Sequence, residues 1–118
     1  MKIKTPTVVK AHGNIPKVIK EFVGAVNTNQ SDISIAKMES PKGWTEPGQT
    51  PEFDEYTFVI RGQVNVETKT DKFTVNEGET FFAKKGEWVR YSTPDSETEY
   101  LAVCTPAFTP DTVNRDEN

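Results

Sequence analysis

The chain has 118 residues, 34% of them apolar and 27% charged, and a formal net charge of −4 at pH 7. That is one domain's worth of chain, with 7 Phe, 3 Tyr and 2 Trp to fill a small core. The acidic balance, with no basic cluster larger than a pair such as Lys84-Lys85, argues against a dedicated nucleic-acid binder, which must neutralise many phosphates.

Residues 1–14 read as a polar arm with an edge strand at Thr7-Val8-Val9. Ile15, Val18, Ile19, Phe22, Val23 and Val26 then recur at helical intervals, and Pro16 suits a first turn. A short helix is therefore predicted over 16–23, ending near Gly24. Asn27 to Asp32 is a polar loop. From Ile33 the apolar period becomes two, as in a half-buried strand. Residues 40–51 hold three prolines and two glycines and read as a loop of fixed turns. Glu55 to Arg61 and Gln63 to Thr68, joined at Gly62, predict a hairpin. Shorter strands follow at Lys72–Val75, Thr80–Ala83, Trp88–Ser92 and Tyr100–Thr105, with turns at Asn76-Glu77-Gly78 and Lys84-Lys85-Gly86. Short strands at such regular spacing predict an all-β barrel or sandwich. The expected organisation is an N-terminal arm and short helix (1–32) packed on a barrel (33–105), then a tail (106–118) laid on the surface or frayed.

Two residue counts narrow the chemistry. A single cysteine, Cys104, precludes an internal disulfide and any cysteine-based zinc cluster. A single histidine, His12, leaves little for a histidine triad or a multi-histidine metal site. No apolar run approaches the roughly 20 residues of a membrane-spanning helix. The N-terminus lacks the apolar run of a secretory signal, so the expected location is the cytoplasm.

Glu55, followed after six residues by Gly62, resembles the second half of the first cupin motif. Pro47-Gly48-Gln49-Thr50-Pro51 is similar to its proline-glycine entry, and Gly78 and Gly86 resemble the glycine pair of the second motif. The resemblance covers roughly residues 33–105. It implies a double-stranded β-helix of the jelly-roll type and, commonly, a homodimer. It also implies a metal held by histidines, but Gln49 and Pro51 stand at the two histidine positions before Glu55, and Val89 stands at that of the second motif. Only Glu55 of that ligand set is present, so no metal and no cofactor are expected. The C-terminal stretch from Cys104 to Glu117 is weakly similar to that of the ectoine synthases. That resemblance implies an iron held at positions that are here Glu55, Phe81 and Val89, two of them apolar, and the activity does not carry over.

Strand alternation puts Glu55, Thr57 and Val59 on one face, and Glu87, Val89 and Tyr91 on one face of a later strand. The resemblance implies that Glu55 faces the interior. The barrel mouth is then expected to carry Gln49, Glu55, Thr57, Glu87 and Tyr91, with Trp44 as a lid or as packing on the rim. Glu55 and Tyr91 are the candidate catalytic pair, because a dehydrated carboxylate has a raised pKa and suits acid–base work. The bland alternatives are a structural Glu55 bonded to loop amides or Arg90, a core Tyr91 and a loop-bracing Gln49. Glu46, Glu52, Asp54 and Glu55 could bind a hard cation by their number, but their spacing matches no EF-hand and Pro47 and Pro51 interrupt it, so a solvated loop is expected. Trp88 is expected outside the barrel, under the N-terminal segment or at a dimer interface. Cys104 reads as an inert buried thiol and His12 as a surface residue.

Three functions compete. The first is a barrel that binds a small polar organic molecule without a metal. The second is a small enzyme, an isomerase or lyase using Glu55 and Tyr91 or an atypical metal site. The third is a structural module that pairs with a larger protein. Neither nucleic acid nor membrane is an expected partner.

Overall fold

The computed structural model describes residues 1–116; Glu117 and Asn118, the end of the predicted tail, lie outside the described residues. The strands are β1 (Thr7–Val9), β2 (Val18–Val23), β3 (Ser34–Ser40), β4 (Trp44–Thr45), β5 (Asp54–Arg61), β6 (Gln63–Thr68), β7 (Lys72–Asn76), β8 (Thr80–Ala83), β9 (Val89–Thr93) and β10 (Thr98–Thr105). They form two antiparallel sheets, β1-β2-β3-β10-β5-β8 and β4-β9-β6-β7. Alternation decides which side chains enter the space between them. On β5, Glu55, Thr57 and Val59 are buried while Tyr56, Phe58 and Ile60 are exposed. On β9, Val89, Tyr91 and Thr93 turn inward, and on β10 Tyr100, Ala102 and Cys104 do the same. The main core joins Trp44, Val59, Val64, Val66, Val75, Val89, Tyr91 and Tyr100. A smaller core of Phe53, Cys104 and Val113 lies beneath Phe108.

No helix occurs among the described residues, so none crosses a membrane. The segment expected to be helical over 16–23 is instead strand β2. Its residues Val-Ile-Lys-Glu-Phe-Val are half β-branched, which stiffens the side chains against a helix and suits a sheet. Neighbouring strands then supply both ladders: Thr7 pairs with Glu21 on one edge, and Ile19 with Met38 on the other. Val18 is exposed while Ile19, Phe22 and Val23 are half-buried, so the segment buries no single apolar stripe of the kind a helix would need.

The predicted hairpin over 55–68 is also corrected. β5 pairs with β10 and β8, whereas β6 pairs with β7 and β9. Gly62, at φ +86°, is the corner where the chain leaves one sheet for the other. A Cβ there would lie 2.6 Å from the Glu97 carbonyl oxygen and 2.6 Å from the Thr98 hydroxyl. That hydroxyl braces the corner by donating to the Gln63 carbonyl at 2.9 Å. Gly62→Ala is expected to cost about 1–2 kcal/mol, from both the positive φ and the contact. Urea unfolding reads it as a lower midpoint at unchanged slope; an unchanged midpoint contradicts it.

As far as Asp116, the C-terminal segment is neither frayed nor merely laid on the surface. It runs beside residues 48–52 as a strap, with backbone bonds from Glu52 N to Thr112 O, Thr50 N to Asn114 O and Asp116 N to Gly48 O. Val113 plugs the small core. Trp88 packs on Gly48 and donates from Nε1 to Asp116 at 2.8 Å, so it pins the strap and does not lie under the N-terminal segment.

Candidate functional site

The sheets enclose a cavity of about 70 Å³. Its wall takes Glu55 and Thr57 from β5, Tyr91 from the facing β9, and Tyr100 and Cys104 from β10. Loop residues Glu46 and Gln49, Lys17 just before β2, and Arg115 from the strap complete it. Val9, Lys10, Glu21, Phe108 and Arg115 also border an outer recess of about 290 Å³. The structure thus brings together Gln49, Glu55, Thr57 and Tyr91 of the residues singled out by sequence. Glu87 is elsewhere: it is exposed and borders a surface groove with Gly86 and Trp88, because the strand begins only at Val89. Trp44 is no lid. It is fully buried in the core, with Nε1 donating to the His12 carbonyl at 3.2 Å.

Lys17, Glu46, Glu55 and Arg115 make no ion pair with one another among the described residues. Lys17 Nζ stands 3.7 Å from the centre of the Trp44 ring and donates to the Tyr100 hydroxyl at 2.7 Å. Glu55 accepts a weak bond from the Cys104 thiol at 3.6 Å through Oε2, while Oε1 has no partner within the protein. The Tyr91 hydroxyl lies beside Glu55 and Thr57 but reaches neither in good hydrogen-bond geometry. Arg115 Nε is buried and likewise unpartnered.

Burial governs the protonation of these groups. It raises Glu55 above the usual carboxylate range, against the pull of Tyr91, Cys104 and the two cations. It raises Glu46 to about 7 and lowers Lys17 to about 8, in each case against the attraction of the opposite charges nearby. Arg115 is lowered for the same reason. Burial and then the Glu55 charge hold Tyr91 well above its ordinary value. Cys104 is pushed up by burial and by Glu55, which fits an inert thiol.

Glu21 provides the internal contrast. It is as buried as Glu55, yet its carboxylate accepts the Val26 and Asn27 amides at 3.0 and 2.8 Å and so closes a turn. Arg90, considered as a partner for Glu55, instead donates to Glu67 from Nε at 3.0 Å.

The donors do not fit the transition metal that the resemblance implies. Among the described residues no three His, Cys, Asp or Glu side chains converge. Gln49 and Val89 pair through their backbones, and Pro51 and Val89 bring no donor side chain. The acidic cluster disperses as well. Glu52 is exposed and held by Asn114, Asp54 accepts the Lys85 amide at 2.9 Å, and only Glu46 and Glu55 reach the cavity.

Four groups of the cavity were not singled out from the sequence. Lys17 was hidden by the helical reading, and Tyr100 was read only as the start of a strand. Glu46 was read as one of a solvated run. Arg115 lay in the supposed tail, although Val113 and Arg115 share strand-like alternation, the one local signal that pointed inward.

No family model matches the chain. It is 38% identical over 96 residues to endoribonuclease YbeY of Myxococcus xanthus, covering 80% of this chain and spanning only 33% of that protein. Among solved structures, the polyketide cyclase RemF of Streptomyces resistomycificus superposes with a TM-score of 0.77 at 16% identity, over all of this chain and 85% of that one. An oxalate decarboxylase from Bacillus subtilis gives 0.77 at 14%, over 98% of this chain and 31% of that one. The EutQ protein of Clostridium difficile gives 0.65 at 24%, over 77% and 63%. The chain has the cupin fold, a double-stranded β-helix. Such low identities show the fold alone.

Proposed function

We propose that this barrel binds a small polar organic molecule in the cavity, held by protein groups and not by a metal. One observation carries the reading. Glu55 Oε1, the Tyr91 hydroxyl and Arg115 Nε are buried around the cavity, each without a partner within the protein. Orphaned buried polar atoms are rare in folded proteins, and three around one space mark a place built for a ligand's polar atoms. Gln49, Thr57, Lys17, Glu46 and Tyr100 supply the rest of the wall. With two cations and two carboxylates facing it, the site suits a small molecule bearing a carboxylate together with a hydroxyl, oxo or amino group.

A thermal-shift screen of small carboxylates, amines and sugars tests this. A ligand at about a hundredfold its Kd adds about 2.7 kcal/mol of stability and raises Tm. The rise is expected to be lost in Glu55→Gln and Tyr91→Phe. Equal shifts in wild type and both variants remove these groups from the site.

A second reading, an acid–base isomerase or lyase, is favoured by Glu55, a buried carboxyl with a raised pKa and one unpartnered oxygen at the cavity. The reading also includes a homodimer, supported by the outward apolar row Tyr56, Phe58, Ile60 and Phe82. Light scattering on the purified protein tests that; a monomer at high concentration contradicts it.

A further inference from the structure

Lys17 is unlike the other lysines whose partners are seen. Lys20 pairs with Glu39 at 2.9 Å and Lys37 with Glu99 at 3.4 Å, both at the partly exposed surface. Lys17, half-buried as a whole, sets Nζ 3.7 Å from the centre of the Trp44 ring with one hydrogen bond, to Tyr100. The charged groups that face it are Glu46 and Glu55, which attract it across space, and Arg115, which repels it. An ammonium so enclosed gives up its proton easily, and burial brings Lys17 down to about 8 despite both carboxylates. The neutral amine then faces a small cavity in which Glu46, raised to about 7, can bear a proton. These are the needs of amine–carbonyl condensation. Arg115 adds a fork that suits a carboxylate.

We infer that Lys17 condenses with the carbonyl carbon of a small α-oxo acid whose carboxylate lies against Arg115. This deepens, and rests on, the small-molecule reading above. The Nζ lone pair bonds to the carbonyl carbon, and the C=O π pair moves to oxygen. That oxygen takes a proton from the neutral carboxyl of Glu46. The nitrogen returns a proton to the carboxylate so formed. The restored acid then protonates the new hydroxyl, water leaves, and the nitrogen lone pair closes the C=N bond. One amine and one carbonyl give one iminium and one water beside a carboxylate, with no change in oxidation state. The cavity of about 70 Å³ limits the partner to the smallest α-oxo acids.

The test uses the intact wild-type chain at pH 7 with glyoxylate and cyanoborohydride, which reduces an iminium to a stable secondary amine. Peptide mass mapping then locates the adduct. Lys17 is expected to label about tenfold or more faster than any exposed lysine, because a larger fraction of it is neutral. Labels spread over Lys2, Lys69 and Lys85 with Lys17 unmodified overturn the inference. Glycolate, which has no carbonyl to condense, separates the two readings by thermal shift. If glycolate stabilises the protein and Lys17 stays unlabelled, the pocket stands and the covalent step falls. If glycolate has no effect and Lys17 stays unlabelled, both fall. Lys17→Arg removes the nucleophile, so its peptide is expected to lose the label while Lys2, Lys69 and Lys85 label at their wild-type rate.

Discussion

Glu55→Gln is expected to raise the free energy of unfolding by about 2 kcal/mol at pH 8 while it removes ligand binding. The gain has two sources. A buried carboxylate with one unpartnered oxygen is replaced by a neutral amide, so no charge is held in a poor solvent. The new amide nitrogen also finds the unpartnered Tyr91 hydroxyl as an acceptor. The pH dependence has a definite sign. Burial raises the folded-state pKa of Glu55 above its unfolded value, so wild-type stability falls as pH rises through the interval between them. The advantage of Gln therefore grows with pH and vanishes where wild-type Glu55 is protonated in both states. Urea titrations at pH 4 and pH 8 measure it. A variant less stable than wild type at pH 8 shows that Glu55 is a structural carboxylate like Glu21, and the functional reading of it fails.

Stability of the wild-type protein is expected to pass through a trough between pH 7 and 8, set by Glu46 and Lys17. Glu46 goes from 4.5 to about 7 on folding, so its contribution is fully present below 4.5 and lost as pH rises to about 7. That interval corresponds to about 2–3 kcal/mol, allowing for the part of Glu46 that water still reaches. Lys17 goes the other way, from 10.5 to about 8. Its folded form binds fewer protons than the unfolded chain between those values, so stability recovers as pH rises above 8. Tyr91 and Tyr100, raised well above 10 by burial, limit that recovery above pH 10. The two groups titrate as a pair, and the limbs belong to the pair jointly. Glu46→Gln is expected to make the acid limb shallower, leaving the part due to Glu55, and Lys17→Met to flatten the alkaline one. Chemical denaturation at half-unit pH steps reads both. A flat wild-type profile from pH 5 to 9.5 shows that the two groups stay hydrated, and the picture of a dry charged cavity fails with it.

The same trough bears on function. A ligand carboxylate set against Arg115 meets repulsion from Glu46 once that group ionises. Its binding is therefore expected to weaken as pH rises through about 7, where Glu46 loses its proton.

The strand alternation of Glu55, Thr57 and Val59, the turn glycines and the count of one histidine were legible in the sequence because each is a local property. Period-two burial follows from the pleat alone, and a missing donor is missing in any fold. The fate of residues 18–23 was not local. Their apolar spacing suits a helix as well as a strand, and only pairing with β1 and β3 decides between them. The turn at Gly62 had the same ambiguity, since a hairpin and a corner between sheets share one sequence signature. The site was divided along this line. Glu55 and Tyr91 could be placed by alternation within their own strands. Lys17, Glu46 and Arg115 come from a strand entry, a loop and a terminal strap up to 98 residues apart in the chain. Their meeting in one cavity, and the burial that shifts their protonation, exist only once the two sheets have closed around them.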